Sequence, residues 1–221
     1  MDYAEIPALN WSSLKLLATS PLLFQWRRKH LRPDTPALRR GRAIHCALLE
    51  PHTYAERYAC EPTWEHHGNS RLGRAERDDW RYIRGYVEVL TAADDALVQQ
   101  CSQAARAHPD LAALRAGART EVVAQWTDAD TGIACKGRLD MVGDGWIADL
   151  KTCAELAAFD RDAARYLYHA QLAWYLDGAV TASLVPPEAH AYLAPVETAE
   201  PYDCGRLDLA PIDVDRGRVV Y

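Results

Sequence analysis

The sequence predicts an α/β (α+β) fold in which a small mixed β-sheet is flanked by helices and preceded by a helical N-terminal half. Capped helical patterns fill the first half, and three short strand patterns joined by tight turns follow between residues 121 and 152. A helix pattern and a further strand pattern come next. Because 221 residues suit one large domain, we predict a single domain over 1–221. Its mainly helical part covers about 1–118 and its sheet core about 119–210.

Start and stop signals divide the first half into helices. The clearest is Thr35-Pro36, a capping residue followed by a proline at the first helical position. Helices are predicted over 11–30, with a cap at Asn10 or Ser12 and a break near Ser20-Pro21, and over 36–49, 75–90 and 92–107, with a polar loop over 60–74.

The second half carries strand patterns. Alternating or apolar runs bounded by turn residues predict strands over 121–127, 133–142, 146–152, 189–196 and 202–209, with one helix over 162–178. Such a mixture predicts a sheet with helices packed on it.

Composition excludes several classes of protein. The sequence is 49% hydrophobic and 25% charged, which argues against a disordered chain. No apolar stretch is long enough to span a membrane, and the first residues do not resemble a signal peptide, so a cytoplasmic protein of a bacterial or phage-infected cell is expected. The six cysteines form no CxxC pair, so neither an iron–sulfur cluster nor a disulfide framework is expected.

The net charge of −6 hides an uneven distribution. Residues 1–50 hold eight Lys and Arg against four Asp and Glu, whereas the rest of the chain holds 17 against 27. A basic stripe of this kind is able to bind a phosphate backbone. A solvated helix face explains the same cluster of basic residues equally well. The basic residues are Arg27, Arg28, Lys29, Arg32, Arg39, Arg40 and Arg42.

The segment 137–152, GRLDMVGDGWIADLKT, carries the chemistry. If Asp144-Gly145 forms a two-residue turn, Asp140 lies directly opposite Asp149, with the two Cβ atoms about 5 Å apart. Lys151 then points to the same face as Asp149. Opposed carboxylates destabilise a hairpin unless a cation lies between them, and oxygen ligands suit Mg²⁺ or Mn²⁺.

An alternative interpretation is a surface hairpin with an Asp149–Lys151 pair in solvent, because D-x-K is a common tripeptide. Aspartate is disfavoured in the middle of a strand, however. Two aspartates in register within apolar strands therefore favour a metal site.

These motifs, in this order, resemble those of a known group of enzymes. Asp140 followed by Asp149-x-Lys151 resembles the PD-(D/E)xK nuclease core. Gln171-x-x-x-Tyr175 and the upstream Gly41-x-x-x-His45 are similar to motifs of its RecB-like branch. The stretches 12–21, 37–51 and 135–140 resemble the exonuclease VIII (RecE-type) nuclease domain, and the similarity runs from about residue 10 to 205.

The resemblance implies a restriction-endonuclease-like core and a role for each matching residue. Its implied metal ligands are His45, Asp140, Asp149 and the backbone carbonyl of Leu150, with Glu121 as an additional candidate. Its implied catalytic residues are Lys151, Asp149 and Asp140, with Gln171 and Tyr175 lining the cleft that faces DNA. Without the resemblance, an inward-facing histidine such as His45 is more often an ordinary core residue.

Two serines begin the first helix close to the basic stripe. Ser12 and Ser13, near Arg27 and Arg28 in sequence, are candidates for binding a 5′-phosphate. Ordinary helix capping explains the serines as well. Together with Arg39, Arg40 and Arg42, these four residues form the predicted DNA-binding set.

The implied activity is a Mg²⁺-dependent deoxyribonuclease, with Mn²⁺ able to substitute. The resemblance implies a 5′→3′ exonuclease on the ends of linear double-stranded DNA, which leaves 3′ single strands for phage-type recombination with a single-strand annealing protein. Lys151 would position the attacking water. Members of the group often continue with a C-terminal helix, which we do not expect here, so their homo-oligomeric ring is expected to be altered or absent.

Three other classes of protein stay open at this point. One is an endonuclease of the same fold, another is a DNA-end-binding module without cleavage activity, and the third is an interaction protein whose acidic hairpin binds a basic partner. An iron–sulfur nuclease is disfavoured by the spacing of the cysteines.

Overall fold

The computed structural model describes residues 3–30, 33–85 and 87–221, so Arg32 lies outside the described residues. The α-helices are α1 (Trp11–Thr19), α2 (Pro21–Lys29), α3 (Pro36–Leu49), α4 (Tyr54–Arg57), α5 (Arg71–Arg84), α6 (Ala92–Ala107), α7 (Pro109–Ala116), α8 (Phe159–Arg165), α9 (Tyr168–Thr181) and α10 (Pro211–Arg218). The strands are β1 (Tyr58–Cys60), β2 (Glu88–Leu90), β3 (Arg119–Thr127), β4 (Ala134–Gly143), β5 (Trp146–Cys153), β6 (His190–Glu197) and β7 (Leu207–Asp208).

One five-stranded mixed sheet forms the centre of the fold. Its strand order is β3-β4-β5-β6-β7, and every neighbouring pair is antiparallel except β5 and β6, which run parallel. The parallel pair requires a crossover, which α8 and α9 supply. The predicted mixed sheet flanked by helices is therefore confirmed.

The two faces of this sheet bury separate apolar cores. Ala148 and Leu150 of β5 pack with Leu48 of α3 and Val98 of α6 on one face. On the other face, Ile147 of β5 belongs to a core that α9 and α10 complete. Neighbouring residues of a strand point to opposite faces, so an apolar β5 serves both cores.

The helix caps follow the sequence closely. The Asn10 side chain accepts a hydrogen bond from the Ser13 N–H, so Asn10 rather than Ser12 caps α1. The chain breaks at Ser20 as predicted, and the Ser20 hydroxyl caps α2. Thr35 caps α3, which ends at Leu49 as predicted.

Several predicted boundaries are wrong. The helix predicted over 75–90 begins at Arg71 and ends at Arg84, because Gly85 adopts a positive φ of 69°. Residues 88–90 instead form β2, which pairs in parallel with β1. Strands of three residues give too little alternation to be recognised from sequence.

The helix predicted over 162–178 is two helices. Leu167 has a φ of 58° between α8 and α9, a left-handed conformation that no glycine announces. The strand predicted over 202–209 is also shorter than expected, because only Leu207–Asp208 pair with β6.

The expectation of no C-terminal helix is wrong as well. Residues 211–218 form α10, which Pro211 begins at the first helical position and which packs against α9. The approach is close at Gly217, where a Cβ would lie 2.8 Å from the Cβ of Ala173. The sequence of α10 is mostly polar, so its few apolar contacts gave no clear helical periodicity.

A buried lysine holds the N-terminal segment on the sheet. The Lys136 ammonium on β4 donates to the carbonyls of Tyr3 and Ile6, each at 2.8 Å. Leu9 adds backbone hydrogen bonds to Ala134 and Lys136. These contacts satisfy a lysine that is only 5% exposed.

In the described ranges, no helix has the length and apolar character that crossing a bilayer requires.

The packing of α9 against β3 generates a stability prediction. A Cβ at Gly178 would lie 2.5 Å from the Trp126 ring, so Gly178→Ala forces a shift of that ring. Although alanine favours helix, we expect Gly178→Ala to lower the free energy of unfolding by about 1–3 kcal/mol because of this overpacking. Urea unfolding followed by circular dichroism measures the change.

Gly117→Ala is the matched control, because a Cβ there meets neighbours only at 3.8 Å. Its unfolding free energy should stay within about 0.5 kcal/mol of the unsubstituted protein. Equal effects of the two substitutions would contradict the close contact at Gly178.

Candidate metal and catalytic site

The candidate site lies where β4 and β5 separate. Their ladder runs from Gly143↔Trp146 to Met141↔Ala148 and ends there. The predicted turn and register are thus confirmed as far as Met141. The expected direct pairing of Asp140 with Asp149 is wrong, because Oδ2 of Asp140 accepts the Leu150 N–H at 2.8 Å in place of a ladder hydrogen bond. A carboxylate is therefore inserted between the two strands.

Asp140 belongs to a cluster of three candidate ligands. His45 Nδ1 from α3 lies 3.4 Å from Asp140 Oδ2. Glu121 of β3 completes the cluster, in which one potential ligand atom from each residue lies within 4.8 Å of the others. All three border an open cleft of about 340 Å³ between α3 and the sheet. Asp149, predicted to share the ion, is not a member of this cluster among the described residues.

Glu121 reaches the cluster through an unusual backbone conformation. Its φ is 53°, and the β3–β4 ladder pairs Thr120 with Met141 and Val122 with Leu139 while omitting Glu121. A left-handed residue other than glycine costs on the order of 1–3 kcal/mol and persists only where its surroundings impose it. Such strain at a polar cluster is typical of functional sites.

A second group surrounds Asp149. The Lys151 ammonium contacts Asp149 Oδ2 and lies 4.7 Å from the centre of the Tyr168 ring. Gln171 Nε2 lies 3.4 Å from Asp149 Oδ1 and 3.1 Å from the Tyr175 hydroxyl. The predicted shared helix face of Gln171 and Tyr175 is confirmed. These two residues lie behind Asp149 and are not among the described residues that line the cleft.

A glycine allows this support. A Cβ at Gly137 on β4 would lie 3.0 Å from the Tyr175 ring. Tyr175 therefore packs directly on the backbone of the strand that carries Asp140. Gln171, which also donates to the Tyr175 hydroxyl, contacts Asp149 from the α9 side of the sheet.

The electrostatics of the site reflect crowded carboxylates. Burial raises the pKa of Asp140 well above its ordinary value, and the neighbouring charges of Asp149 and Glu121 raise it further. Burial also raises the pKa of Glu121, which the Arg138 charge partly offsets. Two neighbouring carboxyl groups such as these are costly to ionise together. A cation bound between them would remove that cost.

The two basic members of the site respond differently. Burial, reinforced by the charges of Lys151 and Arg138, lowers the pKa of His45 to about 3, so its imidazole is neutral and able to bind a metal. Burial lowers the pKa of Lys151, but the charges of Asp149 and Asp140 outweigh burial and raise it overall. Lys151 is therefore a stable ammonium that donates hydrogen bonds.

The donor set fits a divalent cation. Two carboxylates and one neutral imidazole offer ligand atoms within 4.8 Å of one another, a donor set that suits a divalent metal ion. The backbone N–H of Leu150 donates to Asp140. The backbone carbonyl of Leu150 stays a predicted ligand. Asp149 likewise stays a predicted ligand.

The predicted DNA-binding arginines of α3 are engaged with acidic residues. Arg39 and Arg42 contact Asp34 and Glu88, and Arg40 contacts Asp94. Their charges are therefore largely compensated within the chain.

The residues predicted at the start of α1 and on α2 are placed differently. Ser13 and Arg28 line a common cleft with Asn10. Arg27 lies against the Trp26 ring, and Ser12 is exposed. Their contact with DNA stays a prediction.

Sequence reasoning missed Arg138, which lines the cleft and contacts Glu121 at 2.9 Å. Its signal was present, because Arg138 precedes Asp140 by two residues and alternate residues of a strand share a face. The same periodicity that placed Lys151 beside Asp149 would have placed Arg138 beside Asp140.

The fold is the restriction-endonuclease-like fold of the PD-(D/E)xK nuclease class. Its marks are a five-stranded mixed sheet whose central strands separate at an aspartate, a neighbouring D-x-K pair, and a Gln and a Tyr on the adjacent helix. The family described as "PDDEXK-like domain of unknown function (DUF3799)" matches residues 11–217. This chain belongs to that family.

A solved structure supports the same fold. The crystal structure of a protein from Eubacterium rectale named "Putative exonuclease" has a TM-score of 0.65 with this chain at 13% sequence identity. The match covers 96% of this chain and 77% of that one. No curated protein gives a significant match. At this identity the likeness shows the fold alone.

The raised pKa of Asp140 generates a stability prediction. An unfolded aspartate titrates near 3.8, so above that pH the unfolded chain releases a proton that Asp140 keeps in the folded protein, because its folded pKa is higher. The stability therefore falls as the pH rises from that value toward the pKa of the folded state. In EDTA at pH 7.5, we expect Asp140→Asn to raise the free energy of unfolding by roughly 1–3 kcal/mol, since the variant no longer buries a carboxyl group that ionises more readily in the unfolded chain. Adding Mg²⁺ or Mn²⁺ should stabilise the unsubstituted protein and not the variant.

Urea unfolding with and without metal measures both effects, and Asp144→Asn in the exposed turn of the same hairpin is the control. If metal stabilises Asp140→Asn as much as the unsubstituted protein, Asp140 is not a ligand.

Proposed function

We propose that this protein is a Mg²⁺-dependent deoxyribonuclease, specifically a 5′→3′ exonuclease that degrades one strand of linear double-stranded DNA. The observation that carries the proposal is the convergence of His45, Glu121 and Asp140 beside the Asp149–Lys151 pair in an open cleft. Membership of a PDDEXK-like family supports a nuclease. The 5′→3′ direction rests on the resemblance to RecE-type domains.

Each residue of the site has a task in phosphodiester hydrolysis. His45, Glu121 and Asp140 would hold the cation, which when bound polarises a phosphate oxygen and makes water more acidic. Lys151, fixed between Asp149 and the Tyr168 ring, orients the attacking water and stabilises charge that develops on the phosphate. The water oxygen bonds to phosphorus as the bridging P–O bond breaks. The water loses a proton to solvent, and the leaving oxygen takes up a proton from solvent. Gln171 keeps Asp149 and therefore Lys151 in position.

A second cleft supports action at DNA ends. It measures about 690 Å³ and is lined by Asn10, Ser13, Arg28 and Lys136. Lys136 of this cleft and Arg138 of the catalytic cleft are alternate residues on one face of β4, so their Cα atoms lie roughly 6–7 Å apart. We propose that Ser13 and Arg28 bind the terminal 5′-phosphate there.

The biological setting of this proposal is recombination. A 5′→3′ exonuclease leaves a 3′ single strand, which a single-strand annealing protein would bind and pair. Assembly into a homo-oligomer belongs to the same proposal and rests on the same resemblance.

Digestion of linear and closed-circular duplex DNA in Mg²⁺ tests the activity. We expect the linear form alone to disappear, and Asp149→Ala and Lys151→Met to slow its loss at least about a hundredfold because the charge stabilising the transition state is disordered or removed. Asp144→Ala, an exposed acid in the same hairpin, should retain full activity.

The other outcomes separate the competing functions. Cutting of both DNA forms would identify an endonuclease. Binding of DNA ends with no cutting in Mg²⁺ or Mn²⁺ would identify an end-binding module. If the protein neither binds nor cuts DNA, the proposed function is wrong.

The end-binding cleft generates its own prediction. Linear DNA with 5′-phosphate ends should be degraded faster than DNA with 5′-hydroxyl ends, and Arg28→Gln should reduce this preference roughly tenfold, the effect of losing one charge-assisted hydrogen bond. Rates on the two labelled duplexes measure the preference. Lys29→Gln on the same helix is the control, and an unchanged preference in Arg28→Gln would exclude the assigned role.

A further inference from the structure

Arg138 stands out among the cations of the catalytic cleft. It projects from β4 two residues before Asp140, and its side chain is 54% exposed. Nε lies 2.9 Å from Glu121 Oε2, a carboxylate of the candidate metal cluster. Among the described residues, Nη1 and Nη2 of Arg138 have no hydrogen-bond acceptor.

The other cleft cations are already occupied. Arg42 makes hydrogen bonds to Asp34 and Glu88, and Arg57 makes a two-pronged contact with Glu50 at 2.7 and 3.0 Å. Lys151, which is not among the described residues that line the cleft, is 15% exposed and contacts Asp149. Arg138 is thus the cleft cation, within the described part of the chain, whose donors remain open beside the cluster.

The position of Arg138 is fixed from two sides. Glu121 holds Nε, and the guanidinium carbon lies 5.5 Å from the centre of the Tyr3 ring. Tyr3 is itself tied to β4, because its carbonyl accepts a hydrogen bond from the buried Lys136 ammonium. A guanidinium with one edge fixed and the other edge open is preorganised for an anion with two adjacent oxygens.

The site also needs such a cation. The carboxyl groups of Glu121 and Asp140 line the cleft, which opposes the approach of a phosphodiester. A half-exposed arginine at the rim reduces that repulsion while staying hydrated in the free protein.

We propose that Arg138 binds the phosphodiester next to the metal cluster, with Glu121 acting both as metal ligand and as the residue that orients the guanidinium. This inference rests on the proposed nuclease function. Arg138 would contact the DNA backbone without reading its sequence.

Equilibrium binding separates this role from that of a metal ligand. A fluorescent duplex is titrated with the full-length chain in Ca²⁺ at several salt concentrations, and Mn²⁺ binding is measured without DNA by calorimetry. For Arg138→Gln we expect roughly tenfold weaker DNA binding and a salt dependence reduced by about one phosphate contact. Mn²⁺ affinity should change much less than in Glu121→Gln.

The chain offers a closely matched control. Arg206 Nε lies 2.8 Å from Asp208 Oδ1, and its guanidinium carbon lies 5.1 Å from the Tyr192 ring centre, but Arg206 does not line the catalytic cleft. Arg206→Gln should bind DNA like the unsubstituted protein. Arg138→Lys should recover only part of the affinity, because an ammonium lacks the planar pair of donors.

Each remaining outcome is decisive. Unchanged affinity and salt dependence in Arg138→Gln, with DNA still cut by the unsubstituted protein, would overturn this inference alone. Loss of Mn²⁺ binding equal to that in Glu121→Gln would reduce Arg138 to a residue that positions Glu121. If the unsubstituted protein neither binds nor cuts DNA, the proposed function fails as well. Thermal unfolding verifies that every variant is folded.

Discussion

The repulsion among carboxylates at the point where β4 and β5 separate is the constraint on which the site depends. Asp140 is largely buried, with 13% of its side chain exposed, and both Asp149 and Glu121 raise its pKa. Apolar residues at this position would make the protein more stable, and the neighbouring Leu139 and Met141 are indeed apolar and buried. The surrounding elements compensate for the repulsion. The Leu150 N–H, the Lys151 ammonium and the Arg138 guanidinium all approach this cluster.

The fold concentrates these compensations by bringing both helical layers to the place where β4 and β5 separate. The α3 layer supplies His45, whose helix approaches β5 closely enough that a Cβ at Gly41 would lie 3.6 Å from Thr152. The α9 layer supplies Gln171 and Tyr175 through the gap left by Gly137. The sheet separation therefore exposes Asp140 to one layer and Asp149 to the other. The candidate metal ligands on one side of the sheet and Lys151 on the other side therefore come together at β4 and β5.

Much of this arrangement was predictable from the sequence, and what was missed has physical causes. The turn at Asp144-Gly145 and the period of two in a strand located the motif residues of β4 and β5, and a proline after Thr35 located His45 on its helix. The ending of the ladder at Met141 was not predictable, because a side-chain carboxylate replaces a backbone acceptor without any change of pattern. The left-handed Leu167 and Glu121 were missed for the related reason that tertiary packing imposes conformations their own sequence does not favour.

Glu121 shows how strain and function are connected here. A left-handed glutamate in a strand is retained at an energetic cost, and in this position it joins His45 and Asp140 on one side and Arg138 on the other. A residue in ordinary strand geometry would satisfy the ladder instead of this cluster. The cost is consistent with a carboxylate whose interactions are completed only when a cation and a phosphodiester are both present. Under the proposed function, the backbone conformation of β3 thus serves to bind the cation, and the exposed guanidinium of β4 serves to bind the phosphodiester.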